Sequence, residues 1–79
     1  LGLAYHAISR GGNIPCVMNA ANEVANLMFR EGRCGFLQMS EIIAETMQRA
    51  DYLKEPTYED YVKTDKMARQ IAADLIHHS

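Results

Sequence analysis

Helical periodicity, interrupted at short intervals by glycine or proline, is the feature that most restricts how this chain can fold. Apolar residues recur every three or four positions in four separate segments, which is the spacing of an amphipathic α-helix. Gly11-Gly12, Gly32 and Pro56 separate the segments. Because a helix of this kind cannot bury its apolar side alone, the pattern predicts a single all-α domain over residues 1–79, a small antiparallel four-helix bundle.

The first two helices are expected to meet at Gly11-Gly12. Apolar residues at helical intervals lead up to this pair, and two consecutive glycines rarely continue a helix. A second helix is expected over about residues 15–31, since Pro15 is tolerated in a first helical turn, where its missing N–H has no partner. Gly32 is a typical stop for that helix.

The middle of the chain predicts a connection followed by the clearest helix. Residues 33–39 contain Phe36 and Leu37, and we interpret them as a tight connection whose two large side chains fill the core. Ser40 offers an N-cap for a third helix. The strongest helical period in the sequence follows it, on Ile42, Ile43, Thr46, Met47, Ala50 and Leu53.

Two start signals precede the last helix. Thr57 and Asp60 resemble a capping box with Asp in place of the usual Glu, which predicts a short helical turn. Thr64 offers a second start, and the amphipathic pattern after it predicts a last helix toward the C-terminus. Five methionines fit such a core as flexible fillers, although a Met-rich groove for a partner is the alternative.

Charge and length exclude several kinds of function. Eight Lys and Arg against ten Asp and Glu leave a net charge of −2, so the sequence predicts neither a nucleic-acid partner nor a membrane surface. No apolar run reaches the roughly 20 residues that a membrane span requires. Two cysteines without a secretory signal favour reduced thiols and a cytoplasmic protein. The first residue is not Met and already belongs to an apolar pattern, so we expect a piece of a longer chain.

The histidines and cysteines give no strong indication of catalysis. His6 has no acidic residue three or four positions away to orient it as a general base. His77 and His78 point about 100° apart on a helix and cannot hold one ion together, so a solvated tail or the remnant of a tag is favoured. Cys16 lies near a helix N-terminus, where the dipole can lower a thiol pKa, but a packed thiol is favoured. We therefore predict no catalytic, cofactor-binding or metal-binding residue.

Three asparagines in the middle of the second helix are the exception. Asn19, Asn22 and Asn26 are poor helix formers, and at about 100° per residue they gather opposite the apolar stripe, with Glu23 at the edge. A solvated polar side is one interpretation. The other is a docking surface whose amides pair with backbone groups of a loop or a neighbouring domain, and these four residues are our docking candidates.

Three stretches of the chain match one enzyme family in sequence order. Residues 11–24 read GGNIPCVMNAANEV, residues 32–37 read GRCGFL, and residues 56–69 begin PTYED and end AR. Together they resemble the C-terminal domain of the 1-deoxy-D-xylulose 5-phosphate reductoisomerase family over nearly the whole chain. Cys34 and Asn26 depart from the pattern, since the family usually has Ile at the first position and a small or branched apolar residue at the second.

The resemblance implies a parent enzyme and a structural role for this segment. The family rearranges 1-deoxy-D-xylulose 5-phosphate and reduces the product with NADPH to 2-C-methyl-D-erythritol 4-phosphate, using Mg²⁺ or Mn²⁺, in non-mevalonate isoprenoid biosynthesis. Its nucleotide-binding and catalytic domains precede this segment and would be its partners in a homodimeric parent. The segment itself is then expected to buttress the catalytic domain, to bind no cofactor and to be inactive alone. The alternative is a stand-alone helical interaction module that binds a partner helix.

Overall fold

The computed structural model describes residues 2–77, which form four helices. In chain order these are α1 (Gly2–Arg10), α2 (Ile14–Arg30), α3 (Phe36–Arg49) and α4 (Tyr58–His77). No strand occurs in this part of the chain, so the prediction of an all-α fold with four helices is confirmed. The antiparallel arrangement stays a prediction. None of the four helices is long and apolar enough to cross a membrane.

α2 is the centre of the fold, because it packs against each of the other three helices. Its inner side is built from small residues, and Ala20, Ala21 and Ala25 are all fully buried. α4 also presents fully buried alanines, Ala68 and Ala72, to the core. Larger residues from α2, α3 and α4 complete the core, and they include Ile14, Val17, Ile42, Met47 and Ile76.

The start of α3 differs from the prediction. α3 begins at Phe36 rather than after Ser40, because extended Gly35 ends the preceding connection and its N–H donates to Gln38 Oε1 at 3.2 Å. The predicted plugging of the core by Phe36 and Leu37 is wrong, since these side chains are 70% and 81% exposed. Phe36 instead contacts Phe29 edge to face, with ring centroids 5.9 Å apart. Both aromatic rings therefore lie on the surface where α2 ends and α3 starts.

The start of α4 confirms one prediction and corrects another. The Asp60 N–H donates to Thr57 Oγ1 at 3.2 Å and the Thr57 N–H donates to Asp60 Oδ2 at 3.0 Å, which is the predicted capping box. The predicted second start at Thr64 is wrong, because α4 runs through it without a break. Thr64 is buried and accepts a hydrogen bond from Asn13, and Asp65 forms an ion pair with Arg69 one turn later, so both residues support a continuous helix.

α2 ends close to its predicted stop. Gly32 has a φ of +73°, a conformation that glycine adopts without the steric strain of a side chain. The Gly32 N–H donates to the Phe29 carbonyl at 3.0 Å, and the Arg33 N–H donates to the Met28 carbonyl at 2.8 Å. These bonds satisfy carbonyl groups that the end of a helix would otherwise leave unpaired.

Candidate docking site

The predicted amide surface of α2, which we call the amide face, consists of Asn19, Asn22 and Asn26. Asn19 and Asn22 are exposed and Asn26 is half-buried. Asn26 Nδ2 donates to the Asn22 carbonyl at 2.9 Å and to Asn22 Oδ1 at 3.2 Å, so this amide pair is closed within α2. No amide of this face reaches a backbone group of another element within residues 2–77. An internal loop is therefore not the partner in the described part of the chain, which leaves solvent or another domain.

Glu23, the fourth docking candidate, is engaged inside the domain. Its Oε2 forms an ion pair with Nη2 of Arg69 on α4. The Arg69 Nε also donates to Asp65 Oδ2 at 2.9 Å, and the hydrogen bonds that the guanidinium donates to Asp65 and then to Glu23 raise its pKa. Both ion pairs are about half exposed, so each stabilises the domain only modestly. Glu23 thus joins α2 to α4 rather than standing free for a partner.

Cys16 is a packed thiol and not an activated one. Its Sγ lies 3.7 Å from the Tyr61 carbonyl oxygen and is half-buried between α2 and α4. Burial raises the pKa of this thiol above its ordinary value, the Asp65 carboxylate raises it further, and Arg69 only partly offsets them. The alternative of a helix dipole that lowers the pKa is therefore contradicted. Cys34 is buried with its Sγ 3.7 Å from the Ala25 carbonyl oxygen, and both thiols are free.

The histidines lie apart from one another. His6 is exposed at the edge of a cavity of about 280 Å³ between α1 and α3. His77 lies against Arg33, whose Nη2 is 3.1 Å from His77 Nδ1, and His78 lies outside the described residues. No group of three or more His, Cys, Asp or Glu that could hold a metal ion occurs in residues 2–77.

Asn13 is the polar residue that the sequence analysis missed. It is fully buried, and its Nδ2 donates to the Asp51 carbonyl at 2.7 Å and to Thr64 Oγ1 at 3.2 Å. Its Oδ1 accepts the Leu53 N–H at 2.8 Å, and its own N–H donates to the Leu53 carbonyl at 3.0 Å. One side chain therefore ties the connection between α3 and α4, and α4 itself, to the start of α2. We call these contacts the Asn13 junction.

The sequence around Asn13 contains a local pattern, but that pattern predicts an N-cap and not the Asn13 junction. Asn before a helix that starts with Pro usually indicates an N-cap. Asn13 occupies the N-cap position with φ of −88° and ψ of −2°, yet its side chain makes no capping hydrogen bond. The amide is therefore free to bond with the connection that follows α3. No local sequence pattern identifies that connection as the partner of Asn13.

The methionines fill the core. Met47 is buried, and the other four pack against the core cluster while half-buried; they are Met18, Met28, Met39 and Met67. None of the five methionines is exposed, so the Met-rich stripe on which the stand-alone module depended packs mainly within the domain itself.

Comparison with known proteins identifies the family of this helical domain. The family model described as the DXP reductoisomerase C-terminal domain matches residues 1–71. The 1-deoxy-D-xylulose 5-phosphate reductoisomerases of Phocaeicola vulgatus and Bacteroides thetaiotaomicron are 53% and 54% identical over 76 residues, 96% of this chain. That of Trichlorobacter lovleyi is 40% identical over 75 residues, 95% of this chain. The chain belongs to the DXP reductoisomerase family through this C-terminal domain, as the sequence predicted.

The match covers only a minor part of each relative. The chain spans 20% of the length of the Phocaeicola and Bacteroides enzymes and 19% of the Trichlorobacter enzyme. The larger part of each relative therefore lies outside the matched region, which the family model describes as a C-terminal domain.

Proposed function

We propose that this chain is the C-terminal structural domain of a 1-deoxy-D-xylulose 5-phosphate reductoisomerase, a cytoplasmic homodimer that uses NADPH with Mg²⁺ or Mn²⁺. The domain buttresses the catalytic domain of the same parent chain and contributes no catalytic group. The observation that carries this proposal is identity of 53% over 96% of the chain to an enzyme of that activity. The parent makes 2-C-methyl-D-erythritol 4-phosphate for isoprenoid biosynthesis.

The amide face is the docking surface in this proposal. An asparagine side chain offers two donors and an acceptor, so it can pair with either polar group of a foreign backbone. Asn26 Nδ2 donates to Asn22 Oδ1 at 3.2 Å, and this bond uses neither of the two Nδ2 donors of Asn22, which remain for a partner. Asn19, one turn earlier on the same side, extends the surface along α2. Exposed Asn in mid-helix lowers helix propensity, and a docking partner supplies the compensation.

A test in two parts separates the domain's role from the parent's activity. The complete enzyme should oxidise NADPH in the presence of 1-deoxy-D-xylulose 5-phosphate, and the 79-residue chain alone should not. The parent without these residues should have a lower melting temperature, and adding the 79-residue chain in trans should restore part of it.

Variants of the added chain make the test specific to the amide face. Asn22→Lys should restore less stability than wild type, because it removes the amide from the docking surface. Lys66→Ala on the exposed side of α4 is the matched control and should restore as much as wild type. Turnover by the isolated chain, or equal rescue by both variants, would contradict the proposed role.

A further inference from the structure

α1 has an unusual distribution of side-chain size. The residue that it buries most deeply is small, since Ala7 is fully buried, and Ala4 beside it is half-buried. Two of its three large apolar side chains point outward, since Tyr5 and Ile8 are each 75% exposed, whereas Leu3 is half-buried and packs against the core. A surface helix normally does the reverse, with large apolar residues inside and polar residues outside. α1 is therefore apolar on two sides, which is typical of a helix packed between two layers.

The outer side of α1 is separate from the cavity between α1 and α3. Leu3, His6 and Arg10 line that cavity, so they define the α3 side of the helix. Tyr5 and Ile8 are three positions apart and lie roughly 60° from each other on a helical wheel, on the opposite side. We call these two residues the α1 outer face.

Charge distinguishes the α1 outer face from an ordinary solvated surface. Arg10 is the only charged residue of α1, and its guanidinium carbon lies 4.7 Å from the centroid of the Tyr52 ring. The exposed apolar residues of α4, which are Tyr58, Tyr61 and Val62, lie instead among exposed charged residues, which are Glu59, Lys63 and Lys66. Exposed apolar groups without surrounding charge mark contact surfaces in proteins.

We propose that the α1 outer face is covered by the segment of the parent chain that directly precedes this domain. The inference rests on the proposed function, in which this chain is the C-terminal fifth of a longer enzyme. The preceding segment would enter the domain at the N-terminal end of α1, near the exposed Tyr5 ring and the Ile8 methyl groups. A tethered segment is present at high effective concentration, so two apolar anchors suffice to hold it.

The size of the face argues against a second copy of the chain as its occupant. A stable dimer buries about 800 Å² on each partner. α1 has nine residues, which gives a length of about 13 Å, and it offers two large apolar side chains. A contact of this size is adequate for a tethered segment and too small for free association.

Thiol alkylation measures whether the face is covered. Ile8→Cys places a thiol on the α1 outer face, and Lys66→Cys places the matched control on the charged side of α4. Site-resolved mass spectrometry separates both from the native Cys16 and Cys34. In the complete parent chain, we expect alkylation at position 8 to be slower than at position 66 by about tenfold, because access limits thiol reaction. In the 79-residue chain the two rates should agree within about threefold. Tyr5→Cys repeats the measurement on the second residue of the face.

Each outcome distinguishes this inference from the proposed function. Equal rates at the two positions in an enzymatically active parent would overturn the inference and leave the proposed function standing. Slow alkylation at position 8 in a parent without reductoisomerase activity would support the covered face and overturn the proposed function. Slowing in the 79-residue chain that grows with protein concentration would assign the face to a second copy and overturn the inference.

Discussion

The Asn13 junction and the amide face use the same side chain in opposite environments. Asn13 is fully buried and has protein partners for both ends of its amide, whereas Asn22 is exposed and is paired only within its own helix. A buried amide cannot exchange its hydrogen bonds with water, so each lost partner costs free energy. An exposed amide can exchange its hydrogen bonds with water, so its removal costs little free energy. The first site therefore holds the domain together, and the second is available to a neighbour.

The largest expected effect on the free energy of unfolding is at Gly12, whose backbone lies against the Leu53 carbonyl in the Asn13 junction. Gly12 has a φ of +57°, and a Cβ there would collide with the carbonyl oxygen of Leu53. Gly11 has a φ of +68°, and a Cβ there would meet nothing within 4 Å. Gly11→Ala should therefore lower the free energy of unfolding by about 1 kcal/mol through backbone strain alone. Gly12→Ala should lower it by roughly 3 kcal/mol or more, because the connection after α3 must move.

Urea denaturation of the two glycine variants measures the difference. Gly11→Ala is the matched control, since it adds the same methyl group to the same backbone conformation without the collision. Equal losses of stability in the two variants would show that the connection yields freely and that the junction is not rigid.

The next effect is at the amide itself. Asn13→Ala leaves the Asp51 carbonyl, the Thr64 hydroxyl and the Leu53 N–H without their partner in a buried site. We expect a loss of about 3 kcal/mol in the free energy of unfolding. Thr64→Val removes only one of these bonds and should cost about 1 kcal/mol. A thermal melt should order the proteins as wild type, Thr64→Val and Asn13→Ala, and a reversed order would mean that the contact with α4 dominates the junction.

The elements that the sequence predicted well are those with local causes. Gly32 ends α2 and Thr57 with Asp60 starts α4 because each effect involves residues within one helical turn. The all-α fold follows from four amphipathic helices, because each can bury its apolar side only against the others.

The features that were missed depend on residues far apart in the chain. Asn13 meets Thr64 across 51 positions, and no pattern around either residue indicates the pair. Phe36 was placed in the core because it is large and apolar, but it is the first residue of α3 and its ring contacts Phe29 on the surface. Asn19, Asn22 and Asn26 lie within α2 as expected, but their docking role stays a prediction, because it depends on groups outside residues 2–77.

The start of α4 offers an exposed counterpart to the Asn13 junction. The Thr57 N–H and then the Thr57 hydroxyl hold the pKa of Asp60 below its ordinary value. A lowered folded-state pKa gives stability that is present above the unfolded value, near pH 4, and is lost as pH falls through the folded value. Asp60→Asn should therefore be less stable than wild type at pH 7, and the difference should shrink below about pH 4. Unfolding measured at both pH values checks this, and a difference independent of pH would contradict the ionised cap.

The smallest expected effect in this chain is at the amide face, where Asn22→Ala removes only a contact within α2. The free energy of unfolding should stay unchanged or rise by about 0.5 kcal/mol, because Ala has the higher helix propensity. In the complete enzyme the same change should lower the melting temperature, because the docking partner loses its hydrogen bonds.

Lys66→Ala, on a side of α4 assigned to solvent, is the control and should be neutral in both proteins. If Asn22→Ala is also neutral in both, the amide face is solvated and α1 becomes the main contact with the parent. If it instead destabilises the isolated chain by more than about 1 kcal/mol, the amide has a partner inside the domain, and the contrast with Asn13 fails.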